Sequence, residues 1–272
     1  MKGFTKDAWE TIVANDLPDE YDVAAHSKAD GVMYAEIRFA PQQHTQNGLT
    51  QADAVQAVVD GVAASDSGVR CGVILCCMRG EDTHAANLET VSVAADFLGR
   101  GVVAVDLAGA EALFPTADYA EEFELAYEKN IPITIHAGEA DGPDSVRAAL
   151  ALHADRIGHG VRSVEDPELI ETLAEKGICL QLCPTSNLCT AIFADISEFP
   201  LRKLMEAGVP VTVNTDDRAV CGTDLHREFR LLIDAFGLTG GDIKTLLLNA
   251  ADAAFADDEV KDALRAKIDE QL

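Results

Sequence analysis

Positive charge is scarce in this chain. Against 47 Asp and Glu stand only 21 Lys and Arg, a formal net charge of −26. A surface so acidic repels phosphate backbones and anionic headgroups, which excludes sequence-independent nucleic-acid binding and electrostatic attachment to membranes; otherwise it speaks to solubility, not fold. Long apolar runs are missing too. Stretches such as Val73–Met78 fall far short of the roughly 20 residues that span a bilayer. The first residues scatter Lys2, Lys6, Asp7, Glu10, Asp16 and Glu20 among apolar ones, so no basic segment leads into an apolar one as a secretory signal requires. The seven cysteines (Cys71, Cys76, Cys77, Cys179, Cys183, Cys189 and Cys221) are odd in number and irregularly spaced, which argues against a disulfide framework. They are expected to be reduced, mostly buried thiols of a cytoplasmic chain.

What is present is apolar material in short, regularly recurring pieces. At 272 residues and 48% hydrophobic the chain can bury a large core, and one domain over 1–272 is expected. Seven runs read as strands: Gly31–Pro41, Gly68–Met78, Gly101–Gly109, Ile131–Gly138, Arg156–Gly160, Gly177–Pro184 and Val209–Asp216. Helical periodicity fills the intervals. It is clearest at Glu165–Lys176, where Leu169, Ile170, Leu173 and Ala174 share a face and Gly177 stands in the C-terminal cap position, and at Leu201–Ala207, opened by Pro200 and closed by Gly208. The region Asp7–Asn15 is at best helical, and Tyr21–Ala29 reads as a helix leading into the first strand. Strands alternating with helices, with no hairpin signals between them, imply βαβ units and a parallel sheet. Near-continuous apolar strands mean a sheet covered on both faces. The spacing suits an α/β fold of the (β/α) TIM-type barrel, incomplete, with seven of eight strands visible.

In such a barrel the chemistry gathers at the C-terminal ends of the strands. Three ends carry it here: His136-Ala137-Gly138-Glu139, Gly158-His159-Gly160 and Asn214-Thr215-Asp216-Asp217. Each has a bland reading as well. A strand-end histidine can be a core residue, Asp217 or Glu139 can serve the start of a following helix, and Gly109 can be an ordinary turn glycine. Glu36 and Arg38 alternate onto one face of their strand and are expected to form a structural charged pair. His44 reads as a plain loop histidine, Cys183 and Cys189 as core thiols.

Taken together, Tyr34-Ala35-Glu36-Ile37-Arg38-Phe39-Ala40-Pro41, Asp106-Leu107-Ala108-Gly109, His136-Ala137-Gly138-Glu139, Arg156-Ile157-Gly158-His159-Gly160, Cys183-Pro184-Thr185-Ser186-Asn187 and Asn214-Thr215-Asp216-Asp217 resemble the adenosine deaminase family of metal-dependent purine deaminases, in family order from about residue 28 onward. The resemblance implies zinc-activated water attack at purine C6, converting adenosine to inosine with release of ammonia. It implies His136 and Asp216 as zinc ligands, one Zn2+ per chain, and Glu139 as the proton shuttle to N1. It further implies His159 as stabiliser of the developing oxyanion, and Asp217 and Gly109 as contacts to N7 and N3 of a purine nucleoside.

The same resemblance exposes a gap. The family carries a His-x-His pair on its first strand, and no His-x-His occurs in this sequence. Two protein ligands fall short of the three or more usual for zinc, and a seven-stranded sheet leaves two unpaired edges open to oligomerisation. Little or no activity is therefore expected of the chain as it stands. The missing strand would lie upstream, be lost, or come from another polypeptide. An inactive purine-binding remnant and a related deaminase of adenine or a modified adenosine are the alternatives. Ala110, where the family usually has an acid, and Arg218, where it usually has proline, are lesser departures.

Overall fold

The computed structural model describes residues 27–272, so the expectation for Asp7–Asn15 and most of that for Tyr21–Ala29 lie outside the described residues; residues 27–29 are helical. The chain divides into two compact units. Each contains parallel strands alternating with helices, the α/β class read from the sequence, and all seven expected strands form.

The first unit, residues 27–109 and 121–133, is built on β1 (Tyr34–Phe39), α1 (Gln51–Ala64), β2 (Arg70–Met78), α2 (His84–Phe97), β3 (Val102–Ala108) and most of α3 (Ala120–Glu128). Its sheet runs β1-β2-β3, with Tyr34 opposite Arg70 and Phe39 opposite Leu75. Val73, Ile74, Leu75, Cys77, Val105 and Leu107 have no solvent exposure, as strands covered on both faces require. Thr50 and Asp53 close the start of α1 reciprocally, each side chain taking the other's backbone N–H, which satisfies two donors a helix start otherwise leaves bare. Arg38 adds a partner that strand alternation did not suggest: its guanidinium donates at 2.7 Å to the buried carboxylate of Asp106 on β3. His44 ends a short 3-10 turn and packs 5.8 Å from the Phe39 ring.

The second unit, residues 110–120 and 134–272, holds β4 (Thr134–Ala137), α4 (Pro143–Ala151), β5 (Arg156–His159), α5 (Pro167–Lys176), β6 (Cys179–Leu182), α6 (Pro184–Cys189), α7 (Leu201–Glu206), β7 (Val211–Val213), α8 (Arg218–Cys221), α9 (Leu225–Phe236), α10 (Gly240–Ala253) and α11 (Asp258–Gln271). Its strands pair in chain order, β4-β5-β6-β7, all parallel. Helix α5 behaves as its pattern demanded. Asp166 accepts the N–H groups of Glu168 and Leu169 at its start, Leu169, Ile170 and Leu173 are buried, and Gly177 terminates it in the left-handed conformation at φ 65°, where a Cβ would be strained. The register that matters for chemistry sets His136 opposite Gly158 and Ala137 opposite His159. The ends of β4 and β5 are thereby level, and the loops leaving the two strands emerge side by side.

Candidate active site

Strand β4 carries His136 and, through the loop after it, Glu139; β5 ends in His159; the loop after β7 supplies Asp216 and Asp217. Gly158 lets the two histidine-bearing strands lie this close, since a Cβ there would sit 3.2 Å from His136 Cα and Cγ. The imidazoles of His136 and His159 consequently stack at 5.1 Å between centroids, tilted by 52°.

His159 is the hub. It is 2% exposed, and its Nε2 lies 3.6 Å from Glu139 Oε2 and 3.8 Å from Asp216 Oδ2. Its Nδ1 lies 3.2 Å from the side-chain nitrogen of Asn187, which also donates to Glu139 Oε1 at 2.9 Å. An amide nitrogen carries two protons and accepts none, so it donates to both neighbours. That assigns Nδ1 of His159 as the acceptor and places the ring proton on Nε2, facing the two carboxylates. Ser186 donates at 2.7 Å to Asp216 Oδ2. Both His159 (φ 59°) and Asp216 (φ 53°) sit in the left-handed region, a conformation that costs non-glycine residues roughly 1–3 kcal/mol and concentrates at functional sites.

The electrostatics suit proton transfer. Burial pushes the Glu139 carboxyl above its ordinary value, with His136 opposing and Asp216 and Glu111 adding to the rise. A carboxyl raised in this way can carry a proton nearer neutral pH, as a general acid must.

Donor atoms of His159, Cys183 and Asp216 all fall within 4.8 Å of one another. Imidazole, carboxylate and thiolate are ligand types that suit zinc; Asp216 and Cys183 present such atoms as they stand, whereas His159 could join them only by moving its proton from Nε2 to Nδ1, against the tautomer that Asn187 favours. Of the two expected ligands, Asp216 belongs to this trio, while His136 stands beside it through the ring of His159. Asp217 accepts the N–H of Val220 at 3.0 Å and so caps α8, the structural use foreseen as its alternative. Gly109 lies at the end of β3, in the first unit, at φ 113°.

Ser186 and Asn187 sit in a segment whose pattern was recognised but whose roles were not. Cys183 is a buried thiol as expected, 6% exposed, yet its sulfur belongs to the donor cluster; Cys189, expected in the core as well, is exposed at the end of α6. Treating the end of β6 like the ends of β4, β5 and β7 would have marked all three, because they lie within five residues of Leu182, where this fold gathers its chemistry.

The model of the adenosine deaminase family matches residues 16–271. The chain belongs to that family. It is 45% identical over 256 residues to the adenosine deaminase of Haemophilus ducreyi, an alignment covering 92% of this chain and 74% of that one. Among solved structures of related proteins it is similar to a Burkholderia ambifaria amidohydrolase with bound zinc (TM-score 0.86, 29% identity, covering 92% of this chain and 71% of that one). It is also similar to an adenine deaminase from Arthrobacter aurescens (TM-score 0.85, 28% identity, covering 91% and 76%). Family membership thus joins a strand-end site in which the Asn187 amide already links Glu139 to His159 by hydrogen bonds.

Proposed function

We propose that this chain catalyses the hydrolytic deamination of adenosine to inosine, as a metal-dependent enzyme whose metal is zinc, with turnover held low by a site that offers fewer than the three protein ligands usual for that ion. The observation that carries the reading is the convergence of Glu139 Oε2 and Asp216 Oδ2 on the buried Nε2 of His159 in a chain of this family. The balance of likeness favours the nucleoside over the free base: identity reaches 45% with an adenosine deaminase and 28% with an adenine deaminase.

His136 and Asp216 would hold the metal, and when bound it supplies Lewis-acid activation of water. Glu139 performs the proton traffic. It takes one proton from the attacking water and gives it to N1 of the purine as the water oxygen bonds to C6, then passes the remaining hydroxyl proton to the amino group, which departs as ammonia as the C6–N bond breaks and the C6 carbonyl forms. The raised carboxyl suits both halves of that task. His159, held with its proton on Nε2 by Asn187, directs a hydrogen bond to the oxygen that accumulates charge at C6. Asp217 would contact the purine at N7, through whichever carboxylate oxygen is not engaged with Val220. A cytoplasmic setting accords with seven cysteines that all stand as thiols.

The test is loss of adenosine absorbance by the purified chain with zinc in excess, run beside adenine and N6-methyladenosine. Turnover of adenosine that falls by at least about 100-fold in Glu139→Gln is the expected result. Faster turnover of adenine would assign the other specificity. Purine binding without turnover would mark a non-catalytic protein.

A further inference from the structure

Glu111 is a buried acid that the chemistry above leaves unused. It is 5% exposed, and among the described residues no cation hydrogen-bonds to it. Five donors converge on its carboxylate instead. Oε1 accepts the N–H of Gly138 at 2.6 Å and the hydroxyl of Ser145 at 2.5 Å; Oε2 accepts the N–H groups of Glu139 at 3.0 Å, Ala140 at 2.8 Å and Asp141 at 3.0 Å. Four consecutive backbone amides point at one anion because Gly138 turns the chain through the left-handed region at φ 70°. Such a concavity of successive N–H groups binds anions, and here the chain supplies its own. Burial by itself would push Glu111 up, yet the Ser145 hydroxyl and the amides of Asp141, Gly138 and Glu139 outweigh it and hold the carboxyl below its ordinary value.

We propose that Glu111 is a positioning residue for the deamination, clamping the Gly138–Asp141 loop so that Glu139 leaves the backbone at one fixed point. The inference rests on the assignment of Glu139 as the proton shuttle. Glu139 is then anchored at both ends, its N–H on Glu111 and its carboxylate on Asn187. Either anchor alone would leave a three-bond side chain free to swing, and a displacement of about 1 Å can lower a rate by about 100-fold. Only a carboxylate serves in this place. Glutamine offers one accepting oxygen and turns two N–H donors toward the amides; alanine leaves four amides to find water or go unpaired.

Glu111→Gln and Glu111→Ala in the full chain, with zinc in excess, test the idea by two readouts. Amide hydrogen exchange over residues 138–141 should accelerate at least tenfold, more in alanine than in glutamine, with exchange in β5 and α5 unchanged. Turnover per folded molecule should fall by about 10- to 100-fold while KM for adenosine moves less than threefold, and glutamine should retain more activity than alanine. A purely structural role would lower the melting temperature and leave turnover per folded molecule intact. Should the alanine variant not fold, the glutamine variant decides. Unchanged exchange, or faster exchange with unchanged turnover, overturns the proposal. A parent chain that does not turn over adenosine sinks the deaminase reading, and with it the positioning role; the exchange rates then still report whether the clamp exists.

Discussion

The side-chain nitrogen of Asn187 bridges Glu139 and His159, donating at 2.9 Å to the carboxylate and lying 3.2 Å from the ring Nδ1. A fully buried amide thus sets the direction of the proposed general acid and the tautomer of the histidine at once. A hydrogen bond to a charged group contributes roughly 1.5–3 kcal/mol. Asn187→Ala should accordingly lower kcat for adenosine by about 10- to 100-fold, with a much smaller change in KM. Steady-state kinetics check this, and a variant matching the parent in kcat would remove Asn187 from the proton path.

Glu111 makes stability depend on pH in a definite sense. Its carboxyl is held below the ordinary value in the folded chain, so folding favours its ionised form. The stabilisation is complete above the unfolded value of about 4.3 and is lost as pH falls through the lower folded value. Glu111→Gln should therefore melt well below the parent at pH 6 to 7, and the gap should narrow below about pH 4. Melting curves at a series of pH values measure it. A gap that stays constant down to the acid limit would contradict the clamp's electrostatic origin.

How far the sequence was legible depends on which physical signals are local. Strands β1 to β7 were found because an apolar run between polar ends is visible without tertiary knowledge, and α5 because its cap, stripe and terminating glycine all lie within one segment. The trimming of Ile131–Gly138 to Thr134–Ala137 is the usual loss where pairing, not hydropathy, sets the boundary. His136, Glu139, His159 and Asp216 were marked by standing at strand ends. Glu111 was invisible: its partners lie 27 to 34 residues away, and four of its five donors are backbone N–H groups, which have no residue type to read. Asn187 was hidden for a related reason. Its importance comes from touching Glu139 on a loop and His159 at the end of β5, a coincidence that only folding creates.

Gly138 is constrained twice. Its φ of 70° lies where a side chain is disfavoured, and an added Cβ would come within 2.6 Å of Val146 Cγ2. The left-handed cost of roughly 1–2 kcal/mol adds to an overpacking cost of roughly 1–3 kcal/mol. Gly138→Ala should lower Tm by about 5 to 10 °C and weaken the amide cluster around Glu111. A melting temperature within a degree of the parent would show that β4 and α4 can part without cost.

Metal retention can be read without any turnover. Asp216 belongs both to the expected pair with His136 and to the observed cluster with His159 and Cys183, so it is the proposed ligand that both arrangements share. The sequence holds no His-x-His pair, and a site short of three dedicated ligands binds zinc weakly. Zinc in excess should then raise the Tm of the parent by an amount that grows with the logarithm of concentration, the signature of a ligand bound only by the folded state. Asp216→Asn should abolish that rise, because an amide oxygen brings no charge to the ion. Cys183→Ser separates the two donor sets: an undiminished rise leaves the metal to His136 and Asp216, whereas a loss comparable to that of Asp216→Asn enlists the thiol. If Asp216→Asn instead keeps the full zinc-dependent rise, the metal is bound elsewhere and the proposed centre is wrong.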